Sequence, residues 1–165
     1  MSDWQAQLKA IPLSWLLEEE NPSVRYLTLT HLLDRPEDDA QVAEAQAAIP
    51  GSKDVQAIFA RQDPSGWWDT PDSPYGIKRT SGQLLILAGF HSPPDERTSL
   101  GCEFILSKPW IPAARGDHLP LCYTANCLRF LTYFGFGDDP RLDAGWLSKC
   151  CGPSLSPQHV GMFMP

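Results

Sequence analysis

The hexapeptide Gly89-Phe90-His91-Ser92-Pro93-Pro94 has a counterpart 46 residues further on, Gly135-Phe136-Gly137-Asp138-Asp139-Pro140. Both read Gly-Phe-x3-Pro. Each follows an apolar run and precedes another, and both of those next runs end in Leu-Ser-Lys, at 106–108 and 147–149. A weaker copy, Leu32-Leu33-Asp34-Arg35-Pro36, leads to a run that ends at Gln62. Self-similarity at a period of a few tens of residues marks stacked supersecondary units. Strand signals are nearly absent, so the unit is a hairpin of two helices that buries its apolar face against its neighbours. The expectation is an all-α chain, a single helical-repeat domain over residues 1–165.

Caps and breakers divide that domain. Residues 4–8 and 13–20 are expected to form N-terminal helices, the second with Trp15, Leu16 and Leu17 on its apolar side. Asn21-Pro22 is a helix start, with Asn as N-cap and Pro in the first turn. The helix 22–33 carries Val24, Leu27 and Leu32 as expected core positions. The Ala-rich run 38–48 suits an outer, exposed helix, and Ser52 can cap a helix over 54–61 with Val55, Ile58 and Phe59 inward. Residues 63–79 read as an irregular connection, after which Thr80 or Ser81 starts a helix to Phe90. Further helices are expected up to Leu106, over 121–134 and over 140–149, with an irregular tail at 150–165.

Composition narrows the partners. A net charge of −7 without a basic run leaves no means of neutralising phosphates, which argues against nucleic acid. The longest apolar run, Leu84 to Phe90, is far short of a membrane span. Met1-Ser2-Asp3-Trp4-Gln5 lacks the basic and apolar regions of a secretory signal, so a cytoplasmic setting is expected. In that setting the five cysteines read as reduced thiols rather than a disulfide framework.

One corner of the repeat carries a resemblance. Gln62-Asp63-Pro64-Ser65-Gly66-Trp67-Trp68 has the pattern Gln-x3-Gly-x-Trp, with Gln62, Gly66 and Trp68 as its fixed points. It resembles the Gln-Trp motif of squalene and terpene cyclases, and the hairpin repeat around it resembles protein prenyltransferase β subunits. That superfamily folds as an α/α toroid, concentric rings of helices around a central cavity. The resemblance covers roughly residues 22 to 150, although the later copies read Lys108-Pro109-Trp110 and Lys149-Cys150-Cys151 in place of the motif. Cys122-Tyr123-Thr124-Ala125-Asn126 is similar to a Cys-Leu-Thr-Gly-Asn signature of small bacterial and archaeal toroid proteins, which are longer. The implied architecture is a partial ring: a truncated product, a half-toroid, or one part of an assembly that a homodimer or another partner completes. Asp138-Asp139 lacks the first acid of the cyclase proton donor and reads as a turn before a helix.

Prenyltransferases of this fold hold zinc with Asp, Cys and His, which implies a zinc site at Cys122, Cys151 and His159 here. Thiolate and imidazole suit that ion. Cys150 and the pair His118 and Cys122, with Asp117 adjacent, are further candidates; buried thiols and surface histidines are the ordinary alternative. On the helix 121–134, Asn126, Arg129 and Tyr133 follow Cys122 along one stripe. That stripe either lines a cavity or faces solvent, while Tyr123, Cys127, Phe130, Leu131 and Phe134 take the apolar directions. Trp67, Trp68, Tyr75 and Trp110 fall in joining loops, where aromatic rings either stabilise cations or pack. His31 reads as a core or interface residue and His91 as an exposed turn residue. Two functions follow: a toroid that binds an apolar, isoprenoid-like ligand, or a non-catalytic helical-repeat scaffold that associates with itself or a partner.

Overall fold

The computed structural model describes residues 12–69, 74–108 and 121–142. These are helical, and no strand occurs among them. The chain is all-α over the described residues, as expected. They fall into two compact units, residues 12–60 with 89–93 and residues 61–88 with 94–142.

In the first unit α1 is Leu13–Leu16 and α2 is Pro22–Leu27, which continues as a π turn over Thr28–Leu32. Helix α3 is Ala40–Ala48, followed by a 3-10 turn at Ile49–Gly51 and by α4, Lys53–Phe59. Leu29, Val42 and Ala45 form the core between α2 and α3, with Leu17, Tyr26 and Leu33 packed against it. The expected core of the second helix is corrected here. Val24 and Leu32 are 40% and 42% exposed, Leu27 is half-buried, and Thr28 and Leu29 face inward instead. The π turn shifts the phase of the helix, so a regular 3.6-residue period no longer identifies its buried side. Thr28 can be buried because its hydroxyl donates to the Val24 carbonyl at 2.8 Å.

Capping also differs in detail. Pro22 stands at the first turn of α2, but the Asn21 side chain makes no capping bond. Helix α3 begins at Ala40 because Asp39 accepts from the Gln41 amide at 2.8 Å. It is largely exposed, with Val42 and Ala45 as its buried stripe. Ser52 caps α4 as expected, through the Val55 amide at 3.4 Å, and Val55 and Phe59 are buried. Trp15, expected on an apolar side, is 62% exposed.

In the second unit α5 is Pro74–Gly89, α6 is Glu96–Ser107, α7 is Leu121–Tyr133 and α8 is Pro140–Leu142. Helix α5 starts six residues before the expected Thr80, and Thr80 and Ser81 lie buried in its interior. Hydroxyl residues signal a helix start only when their side chains reach the local backbone amides. Here Thr80 Oγ1 accepts from the Trp68 amide at 3.0 Å, and Ser81 Oγ donates to the Ile77 carbonyl at 2.9 Å. Asp95 closes a capping box on α6. It accepts from the Thr98 amide at 2.7 Å, and its own amide donates to Thr98 Oγ1 at 2.9 Å.

The same local order occurs three times. A first helix ends beside a left-handed residue, and an Asp then opens the second helix. Asp34 and Asp39 do this between α2 and α3, His91 and Asp95 between α5 and α6, and Gly135 and Asp139 between α7 and α8. At Gly135, φ is +89°, and the Phe136 amide reaches back to the Leu131 carbonyl at 2.8 Å. This pairing satisfies the last carbonyls of α7 and turns the chain for α8.

Candidate functional site

The Gln62–Trp68 corner is built as a backbone clamp. Gln62 lies beyond α4 and reaches across to α6, where its Nε2 donates to the Arg97 carbonyl at 2.8 Å. The same amide donates to Gly66 O at 3.1 Å, and Gln62 Oε1 accepts from Arg97 Nε at 3.3 Å. Gly66 has φ +94°, and a Cβ there would meet the Leu100 backbone at 2.5 Å. Glycine is therefore required twice over, by conformation and by space. Trp68 is buried, and its ring lies 3.3 Å from where a Cβ on Gly101 would stand. Sequence reading gave Gln62 the end of its own helix; the contacts give it the first turn of α6.

A buried polar seam joins α5 to α7. Ser81 Oγ and Tyr123 Oη are 2.8 Å apart, and Cys127 Sγ is 3.9 Å from Ser81 Oγ. Ser81 and Cys127 are separated by the 46-residue period, so equivalent positions of successive hairpins touch. Burial, ahead of the neighbouring Cys127, pushes the Tyr123 phenol above its ordinary range. Burial likewise pushes the Cys127 thiol up to about 12. Cys102 on α6 is pushed up to about 12 by burial and then by the Glu103 carboxylate. Both thiols are protonated at neutral pH and are poor nucleophiles and metal ligands as they stand.

A second link joins α6 to the start of α8. The Arg141 guanidinium donates to both Glu103 oxygens, at 2.8 and 3.0 Å, and to Asp139 at 2.8 and 2.6 Å. The Arg141 side-chain bond is the main cause that holds the Asp139 carboxyl down at about 2.

The remaining candidates are dispersed. Asn126 and Arg129 are exposed on α7, and Tyr133 is half-buried with its ring 5.1 Å from that of Phe134. Cys127, Phe130, Leu131 and Phe134 take the buried directions, as their spacing implies. Cys151 and His159 lie outside the described residues, as do Cys150, Asp117, His118, Trp110 and the side chains of Cys122 and Tyr75. Among the described residues no three His, Cys, Asp or Glu side chains gather closely enough to hold a metal ion. A cleft of about 480 Å³ opens in the first unit, lined by Glu20, Asn21, Lys53, Asp54 and Phe90 among others.

No family model, curated protein or solved structure matches the chain. Its contacts are therefore the basis for any reading of function. No helix among the described residues is long and apolar enough to cross a membrane. The Ser81–Tyr123 pair went unrecognised in the sequence, although the 46-residue period was a usable signal for the Ser81–Cys127 register. Nothing in the sequence signalled the packing of His31, exposed on the π turn, with His91, half-buried after α5.

Proposed function

We propose that this chain is a helical-hairpin scaffold of the α/α-toroid kind, a partial ring that works by association and is completed by a second copy of itself. The observation that carries this reading is the pairing of like with like. First helices α5 and α7 meet at Ser81 and Tyr123, and second helices α6 and α8 meet at Glu103 and Arg141. Such contacts, made within each helix layer from one hairpin to the next, suit an array that grows by adding hairpins. The Gln62–Gly66–Trp68 corner serves the same array as a structural clamp. Buried, reduced Cys102 and Cys127 fit a cytoplasmic setting. The acidic charge disfavours nucleic acid as the partner. Light scattering on the purified chain tests the reading. A dimer mass is expected, and a clean monomer across the micromolar range would overturn self-association.

A second reading, an apolar isoprenoid-like ligand with zinc, rests on the resemblance to prenyltransferases alone, since the exposed Asn126 and Arg129 side chains are those of a solvent-facing stripe. Zinc would be held by Cys122, Cys151 and His159. Metal analysis of the native chain and of Cys122→Ser and His159→Ala decides it. Stoichiometric zinc lost in both variants supports the reading, and a folded, metal-free protein sinks the zinc site.

A further inference from the structure

The imidazole rings of His31 and His91 have their centres 6.2 Å apart, at an interplanar angle of 62°. The Tyr26 ring centre lies 5.3 Å from that of His91. All three residues belong to the first compact unit. Two separate backbone irregularities bring them together. The first is the π turn Thr28–Leu32, closed by the Leu33 amide on the Thr28 carbonyl at 3.0 Å. In an unbroken α-helix, residues five apart stand about 140° apart around the axis. The wider turn brings His31 back towards the side of Tyr26. The Thr30 hydroxyl supports the distorted helix by donating to the Tyr26 carbonyl at 2.9 Å.

The second irregularity is at His91, which has φ 55°. The matching turns use Asp34 in the preceding hairpin and Gly135 in the next as the left-handed residue, so the turn sets the conformation and His91 alone brings an imidazole to it. A side chain in this conformation is disfavoured relative to glycine. π turns are concentrated at functional sites. Here the π turn and the hairpin turn each supply an imidazole to the same cluster.

We propose that His31 and His91 form a two-imidazole site, in trans, for a divalent transition-metal ion of the nickel or copper class. Imidazole nitrogen suits these ions. Metal–nitrogen bonds of about 2.0–2.1 Å put two ring centres on one ion 4.5–6.5 Å apart, depending on the bond angle. The observed 6.2 Å lies at the wide end of that span, which a trans pair of imidazoles on a square-planar or octahedral ion reaches and a tetrahedral ion does not. His31 is solvent-exposed, so the ion can enter and water can fill its other positions. The site shares no residue with the Cys122, Cys151 and His159 set and does not depend on the scaffold reading.

Calorimetric titration of the full chain with nickel chloride tests the proposal, since nickel favours imidazole and needs no thiolate. One equivalent is expected to bind to the native protein. His31→Ala and His91→Gly should each weaken it at least tenfold, the glycine being chosen to preserve the left-handed backbone. A His118→Ala/His159→Ala double variant should bind like the native chain. Helical circular dichroism and melting establish that each variant is folded. Binding of native strength in folded His31→Ala or His91→Gly, loss of it in the double variant, or no saturable binding to the native chain would overturn the site.

Discussion

Gln62 donates its side-chain amide to the main-chain carbonyl of Arg97 at 2.8 Å, across 35 residues of chain. With the bonds to Gly66 O and from Arg97 Nε, one side chain fixes both its own turn and the first turn of α6. Gln62→Ala should therefore cost about 0.5–1.5 kcal/mol, since the Arg97 carbonyl it leaves is open to water and only Gly66 O is part-buried. Urea unfolding of the variant measures this directly. A change below a few tenths would mean that water replaces the clamp.

Gly66 and Gly135 separate two costs of glycine. Both have positive φ, but a Cβ at Gly135 meets nothing within 4 Å. Gly135→Ala should lose only the conformational part, about 1–2 kcal/mol. Gly66→Ala adds overpacking against Leu100, which costs about 1–3 kcal/mol more. The comparison of melting temperatures should rank Gly66→Ala clearly lower. Equal losses would show that Leu100 yields.

The Ser81–Tyr123 pair should behave as a coupled unit. Tyr123→Phe and Ser81→Ala each remove a bond worth about 1 kcal/mol. Together they should destabilise less than the sum of the two, because the second deletion finds the contact already gone. Additive losses in a double-mutant cycle would mean that the two hydroxyls do not interact.

Asp139 sets an acid limb. Its carboxyl is held down to about 2, chiefly by the Arg141 side-chain bond, against an ordinary 3.8. The folded chain keeps this carboxylate ionised after the unfolded chain has taken up a proton. Its stabilisation is thus complete above pH 4 and is lost as pH falls through 2. The pair is exposed to solvent, so salt should weaken the effect. Denaturation midpoints between pH 4 and pH 2 should fall less steeply in Asp139→Asn than in the native protein.

Cys102 and Cys127 act at the other end of the scale. Burial raises both to about 12 from an ordinary 9. The unfolded chain loses these protons first, so stability should decline as pH rises from 9 towards 12. Neither thiol should be alkylated in the folded chain at pH 8, and both should react once it is unfolded. Peptide mapping by mass spectrometry reads each site separately. Labelling of Cys127 in the folded protein would contradict its burial against Ser81.

Much of the candidate site was legible where local chemistry decides. The apolar directions of α7 were readable at Cys127, Phe130, Leu131 and Phe134, because helical spacing and burial agree there. Gln62–Trp68 stood out as a unit, though not its partner. Arg97 and Leu100 are distant in sequence, and no local pattern specifies which carbonyl a side-chain amide will find.

The sequence by itself determined the helical class of the described residues, where Pro22 opens a helix, that Ser52 caps one, and that a sequence unit recurs with a 46-residue step. Those features depend on propensity, capping and period, which act within a few residues. Tertiary structure decided the phase of α2, the interior roles of Thr80 and Ser81, and the meeting of His31 with His91. The π turn shifts which side of the helix is buried, and buried hydroxyls are tolerated only once partners from elsewhere in the fold satisfy them. Such partners come from packing, so a residue such as Thr80 reads as a helix start until Trp68 is seen donating to its hydroxyl.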